Sequence, residues 1–357
     1  MNKILLSTSG TLGDILVIFP ILAGIRARFP DAEISLLNKH GSKAADSPLE
    51  LARSAGYVDK IRCISKPMLR ILSFLSFFPY PGRREYDSVF FLQRDGRTLA
   101  RKIARERGYL ERISRNPVRG LTIPPDAPDA EDRRRVMDIM LARINCDSDD
   151  PIVPGTHLLA FTSAEIAAAD DFLTGLGLPA DAIPFAVCIG GKKSVSHWPL
   201  DNYIAVLREI TRNSAGVPVF FGGGQDRENI RRVLEGLPQG RAFYAEGVSS
   251  DLRKSICVMS RLKFYLGNDT GSIHMAAAAG LRCIGIYSSH SREGLWTPLG
   301  EGHRILRCSP EPECTGCRKQ DCPFGTPARC IAAITVERVL HEVGEMLAAS
   351  SSSASRK

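Results

Sequence analysis

The sequence predicts an α/β protein of two Rossmann-like domains facing each other across a cleft. Three observations predict it. At roughly 150 residues per domain, a chain of 357 residues suggests two domains. Short apolar runs of strand length alternate with longer helix-length runs, and this rhythm occurs twice, on either side of a proline-rich middle. Glycine-rich turns follow several strands, where an open parallel sheet places its ligands.

The elements follow in order. Lys3–Thr8 (KILLST) is a short apolar run and predicts a buried strand. A turn, Ser9-Gly10-Thr11-Leu12-Gly13-Asp14, leads into a helix over Ile15–Phe29, closed by Pro30, and a second strand over Glu33–Leu37. Strand, turn, helix and strand make a βαβ unit, hence a parallel sheet. Ser88–Leu92 is a further strand. Pro124, Pro125, Pro128, Pro151 and Pro154 mark loops, and the boundary between halves falls at Gly155. Thr162 and Glu165 form a capping-box pattern opening a helix to about Leu176. The second half continues with strands at Phe185–Ile189, Val217–Phe221, Leu262–Leu266 and Arg282–Tyr287. Helices lie at Asp201–Thr211, Asp226–Leu234 and Ser272–Ala279. A last helix covers 336–349, and the Ser-rich tail, 350–357, reads as disordered.

Composition narrows the class. With 44% hydrophobic and 24% charged residues, the chain is neither disordered nor fibrous. No apolar run reaches the ~18–20 residues that span a bilayer. The start, MNKILLSTSG, lacks the apolar core of a secretory signal, so a cytoplasmic protein with reduced thiols is expected. The net charge of +8 invites an anionic partner. No DNA- or RNA-reading motif is present, so nucleic acid is not expected.

Three turns carry candidate chemistry. Gly13 and Asp14 stand where a helix begins after the first strand. Asp14 is either a helix cap or a carboxylate able to take a proton from a substrate hydroxyl. Asp269-Thr270-Gly271 also follows a strand and opens an Ala-rich helix, whose N-terminus suits a diphosphate. His274 falls in its first turn, as a structural histidine or as a donor to a leaving phosphate. Gly222-Gly223-Gly224 precedes Asp226, which reads equally as part of an ordinary turn or as a ribose or base contact.

These segments, in this order, resemble glycosyltransferase family 9, the heptosyltransferase family of lipopolysaccharide assembly. The resemblance rests on KILLSTSGTLGDILVIFPILAGIRARFPDAEISLL at the start and HWPLDNYIAVL over His197–Leu207. It rests further on LGNDTGSIHMAAAAGLRCIGIYS over Leu266–Ser288 and WTPLG over Trp296–Gly300. It implies a GT-B fold, with residues 1–155 on the acceptor side and 156–335 binding the nucleotide sugar. The helix at 336–349 would then cross back to the first domain. It also implies an inverting transfer needing no metal cofactor. Asp14 would act as the base, with Asp269, Thr270, Gly271 and His274 on the donor side; the glycine turns add Gly13 and Asp226 as further expected donor contacts. The expected donor is a nucleotide diphosphate sugar like ADP-heptose. The expected acceptor is a lipopolysaccharide core or another lipid-linked glycan at the cytoplasmic face of the inner membrane. Relatives commonly place a basic residue two positions before the Trp-Pro pair. Here Ser196 stands there, so Lys192 or Lys193 is expected to reach the diphosphate instead.

Four further features bear on partners. Asp147-Ser148-Asp149 spells a cation-binding DxD, but it sits in the interdomain linker and is discounted. Cys314, Cys317, Cys322 and Cys330 can supply a tetrahedral structural zinc site, or can be free thiols packed in a loop. Residues 67–79 are apolar nearly all round as a helix, which suits an interfacial anchor or a cover for the core. Between Arg83 and Arg119, ten Arg and one Lys stand against five acids, a local +6 that favours an anionic membrane-associated acceptor. Two rivals remain. A nucleotide-sugar epimerase would turn over donor without acceptor. A non-catalytic nucleotide-sugar-binding protein would keep its function without Asp14.

Overall fold

The computed structural model describes residues 2–8, 12–38, 48–63, 85–92, 106–107, 109–111, 113–121, 136–146, 148–317 and 319–354. The chain divides into two compact units, Met1–His157 and Leu158–Lys357, two residues beyond the break expected at Gly155.

The first unit is built from β1 (Lys3–Thr8), α1 (Leu12–Leu16), α2 (Phe19–Arg28), β2 (Glu33–Asn38), α3 (Pro48–Ser54), β3 (Lys60–Cys63), β4 (Ser88–Leu92) and α4 (Val136–Asn145). Its strands pair in parallel in the order β3-β2-β1-β4. Five of the six β1 residues are buried, Ser7 and Thr8 among them, as an inner parallel strand requires. The single helix expected over Ile15–Phe29 is two. Pro20 lies in the first turn of α2, where its missing N–H is harmless, whereas inside one continuous helix it would remove a backbone bond.

The second unit contains α5 (Ser163–Gly175), β5 (Ile183–Cys188), α6 (Leu200–Asn213), β6 (Gly216–Phe220), α7 (Arg227–Glu235), β7 (Phe243–Tyr244), α8 (Glu246–Ser249) and α9 (Leu252–Met259). It continues with β8 (Phe264–Asn268), α10 (Gly271–Ala278), β9 (Arg282–Ile286), β10 (Arg304–Leu306), α11 (Arg329–Ala332) and α12 (Val336–Ala354). The six strands pair in parallel in the order β10-β9-β8-β5-β6-β7. Counted from β5, this is the Rossmann order 3-2-1-4-5-6, and the first unit repeats its 3-2-1-4 portion. The capping box at Thr162 forms as its sequence requires, with Glu165 N–H donating to Thr162 Oγ1 and Thr162 N–H donating to Glu165.

One expectation at the C-terminus is corrected. Helix α12 runs to Ala354, so residues 350–354 of the expected disordered tail are helical. Ser350 and Ser351 turn their hydroxyls back onto the carbonyls of Met346 and Leu347, which satisfies them inside the helix. Within its own unit the helix packs on α6 and β5, where Val339, Val343, Met346 and Leu347 belong to the core.

Candidate functional site

In a doubly wound sheet the ligand site lies where the strand order reverses, at the carboxyl ends of the two flanking strands. In the second unit these strands are β5 and β8, and in the first they are β1 and β4. The loop after β5 carries Lys192 and Lys193. The loop after β8 carries Asp269 and Thr270 and opens α10.

Buried Asn268 ties these loops together. Its Nδ2 donates to the Ile189 carbonyl at 2.7 Å, and its Oδ1 accepts from the Tyr203 hydroxyl at 2.9 Å and from Trp198 N–H at 3.3 Å. The Trp198 indole N–H donates to Ile334 O at 2.9 Å. The Trp-Pro and Asn-Asp strings are thus two halves of one buried lock.

Around the lock, the turns after β5, β6 and β8 meet. His197 Nε2 donates to Gly191 O at 2.8 Å. Asp226 stands at the N-cap position of α7 but makes no side-chain cap bond there. Its carboxylate instead accepts from the Gly191 and Gly223 N–H groups. Burial pushes its pKa above the ordinary value, and His197 and those N–H groups pull it back. The contact is possible because Gly190 has no side chain: a Cβ there would lie 2.0 Å from Asp226 Oδ1.

Thr270 occupies the N-cap of α10 in extended conformation, yet its hydroxyl meets Ser272 Oγ at 2.7 Å and no side chain caps the helix. The first-turn N–H groups of α10 are therefore not taken up by a capping side chain, which suits an anion. Asp269 is half-buried. Burial pushes its carboxyl up to about 6, against the pull of Lys193, Ser291 and Arg307. His274 is buried, edge-on to Trp296 with ring centroids 6.1 Å apart.

Of the two lysines, Lys193 turns inward, its Nζ donating to His290 Nε2 at 3.0 Å, while Lys192 is exposed. His290 and Arg307 were not singled out from the sequence. His290 lies two residues past the stretch that carries the family resemblance, and an isolated histidine gives no local signal.

In the first unit, Asp14 sits in the first turn of α1, directly after β1 and at the β1/β4 reversal, with Gly13 buried beside it. The described arginines of the basic stretch have partners in their own unit. Arg115 pairs with Asp87 at 2.7 Å, and Arg107 lies 3.4 Å from Glu111. Arg119 donates to Ile144 O at 2.8 Å over the Phe90 ring. Residues 67–79 and Asp147 lie outside the described residues. Among the described residues no helix is long and apolar enough to cross a membrane.

Cys314, Cys317, Cys322 and Cys330 line one pocket together with His290 and Phe324. All four are free thiols, and among the described residues no group of three or more His, Cys, Asp or Glu is arranged to hold a metal ion. The same segment braces the lysine loop. Val195 N–H donates to Gln320 O at 3.3 Å, and Ser194 Oγ donates to Asp321 Oδ1 at 2.6 Å.

Residues 155–327 match the family model described as Glycosyltransferase family 9 (heptosyltransferase). Lipopolysaccharide heptosyltransferase 2 of Salmonella typhimurium and its namesake of Escherichia coli are each 26% identical over 155 residues, 42% of this chain and 42% of theirs. The chain thus spans less than half the length of the curated relatives it matches. Among solved structures, the glycosyl transferase family 9 protein of Veillonella parvula is similar at a TM-score of 0.71 and 18% identity, covering 97% of each chain. The E. coli ADP-heptose lps heptosyltransferase II is similar at a TM-score of 0.67 and 18% identity, covering 98% of this chain and 99% of that one. These likenesses show the fold, two Rossmann-like units of the GT-B class.

Proposed function

We propose that this chain, whose residues 155–327 match the family model of glycosyltransferase family 9 (heptosyltransferase), transfers a sugar, heptose first among the candidates, from a nucleotide diphosphate sugar to a lipopolysaccharide-core or other lipid-linked acceptor. The observation that carries this reading is the meeting of the β5 and β8 loops at the strand reversal. Lys193, Asp269, Thr270 and the uncapped N-terminus of α10 assemble there. A helix N-terminus and a lysine are what a departing diphosphate needs in the absence of a cation.

The proposed reaction is one inverting displacement. The acceptor hydroxyl loses its proton to the Asp14 carboxylate. Its oxygen forms the new bond to the anomeric carbon from the face opposite the diphosphate. The bond from that carbon to the phosphate oxygen breaks, and the electron pair leaves with the nucleotide diphosphate. Lys193 and the α10 N–H groups offset the charge that develops on the leaving oxygen. In the same reading the protein works at the cytoplasmic face of the inner membrane, where a lipid-linked acceptor would be presented. The four thiols on one pocket are also a donor set suited to structural zinc, with Cys314, Cys317, Cys322 and Cys330 as the ligands.

The test is transfer from ADP-heptose to a truncated lipopolysaccharide acceptor, with the anomeric configuration of the product read by NMR. Asp14→Asn is expected to lower turnover by about 10²–10⁴-fold while leaving ADP affinity unchanged. Donor turnover without acceptor would favour an epimerase, and full turnover in Asp14→Asn would remove Asp14 as the base.

A further inference from the structure

We infer that His290 is the positioning residue of the donor diphosphate site: it accepts a hydrogen bond from Lys193 and fixes that ammonium beside Asp269 at the opening of α10. The inference rests on the proposed reading of Lys193 as a diphosphate ligand and adds a residue to it.

The geometry determines the state of the ring. Lys193 Nζ is 3.0 Å from His290 Nε2, and Ser288 Oγ is 2.8 Å from His290 Nδ1. An ammonium has donors only, so Nε2 must be the acceptor. In the neutral ring the proton is then on Nδ1, donated to the Ser288 hydroxyl. The ring is 5% exposed and held from both sides, so it cannot swing away from Lys193 without breaking both bonds. Burial, with the Lys193 and Arg307 charges beside it, holds its pKa down to about 4, so the ring remains an acceptor at neutral pH.

A neutral acceptor suits the task. A lysine side chain loses rotamer freedom when it is ordered. Fixing it beforehand moves that cost from binding to folding. A carboxylate in place of His290 would also fix the ammonium, but beside Asp269 it would be a second negative charge on Lys193. His290 orders Lys193 without adding charge.

The experiment is calorimetric titration of ADP into the full-length protein and its variants. Lys193→Met is expected to weaken ADP about tenfold or more, and His290→Leu about tenfold. The double variant is expected to be no weaker than Lys193→Met alone, because the histidine acts only through the lysine. His290→Gln, whose side chain can carry an oxygen to the Nε2 position, should restore affinity to within about threefold of wild type. His290→Asn, which reaches only the Nδ1 position, should behave like His290→Leu. The Gln and Asn variants keep the test open should the leucine variant fail to fold. Unchanged ADP affinity in Lys193→Met would overturn the reading of the lysine. A weakened Lys193→Met beside an unaffected His290→Leu would overturn the role of His290. Equal losses from His290→Leu in both backgrounds, or equal losses in the Gln and Asn variants, would also overturn it, since either marks a packing effect.

Discussion

The Tyr203 hydroxyl donates to Asn268 Oδ1 at 2.9 Å, and both side chains are wholly buried. Sixty-five positions apart in sequence, they join the first turn of α6 to the last residue of β8. The site loops are fixed relative to each other through this bond and its neighbours, Trp198 N–H and Ile189 O.

Removing Asn268 should therefore cost far more than removing the Tyr203 hydroxyl. Asn268→Ala strands the tyrosine hydroxyl, the Trp198 N–H and the Ile189 carbonyl in a dry interior. A loss of about 3–4 kcal/mol is expected in urea unfolding. Tyr203→Phe leaves Asn268 Oδ1 its bond to Trp198 and should cost about 1 kcal/mol. Similar losses in the two variants would contradict Asn268 as the centre of the lock.

Gly190 supplies a second contrast. A methyl group there would overlap the Asp226 carboxylate, whereas one at Gly223 would meet nothing within 4 Å. Gly190→Ala should drive Asp226 off the Gly191 N–H and destabilise the second unit by about 1–3 kcal/mol. Gly223→Ala should stay within about 0.5 kcal/mol of wild type. Thermal unfolding of the two variants checks this, and equal melting temperatures would show that Asp226 yields without cost.

The fold was legible where apolar runs were unbroken. β1, β5, β6 and β8 are inner strands whose residues are almost all buried, and β4, though last in its sheet, is buried over four of its five residues, so each reads as a hydrophobic run. α3 and β3 gave no such signal, since KIRC is half charged and lies at the sheet edge. The serines of α12 read as disorder because their weakness as helix formers is local, whereas their back-bonds to Met346 and Leu347 exist only once the helix has formed. In the site, Asp269 and Thr270 stood in motif positions, whereas Lys193 could be named only as one of two lysines near a position where Ser196 replaces the usual basic residue. Asn268 and Trp198 stood in the same strings, but their role as a lock emerges only from the pairing of distant residues. His290 could not be read at all, because what distinguishes it is a lysine 97 positions away.

The cysteine pocket makes a prediction about purified protein. Four thiols already share one pocket, so zinc would need only to draw them together, and the loop they occupy holds Ser194 and Val195. Protein purified without chelator is expected to carry about one zinc by elemental analysis, as a Cys₄ site implies. Cobalt substitution should give the absorption bands of tetrahedral thiolate ligation. Cys317→Ser should lose the metal and loosen the Lys193 loop, seen as faster hydrogen exchange at Val195. Metal-free protein with an intact loop would reject the zinc proposal.

The pH dependence of stability separates His290 from Asp269, because their shifts have opposite sign. His290 is held at about 4 in the fold against an ordinary 6.5 by burial, Lys193 and Arg307. Below pH 6.5 the unfolded chain takes up its proton first, so the His290 contribution is full above 6.5 and is lost as pH falls toward 4. Asp269, raised by burial to about 6 from an ordinary 3.8 while facing Lys193, Ser291 and Arg307, behaves in the opposite way. Its contribution is full below 3.8 and is lost as pH rises through 6. Between pH 4 and 6.5 the two oppose each other in the wild type. His290→Gln leaves Asp269 in charge, so stability should fall as pH rises across that range. Asp269→Asn leaves His290 opposed only by Asp226, whose carboxyl burial also raises, so stability should rise with pH more steeply than in the wild type. Glu165, held near 2 chiefly by Arg253, adds a loss in both variants only as pH falls from 4.5 toward 2. Urea unfolding at pH 4.5, 5.5 and 6.5 measures the slopes. Parallel slopes in the two variants would mean that neither group carries the shift its surroundings impose.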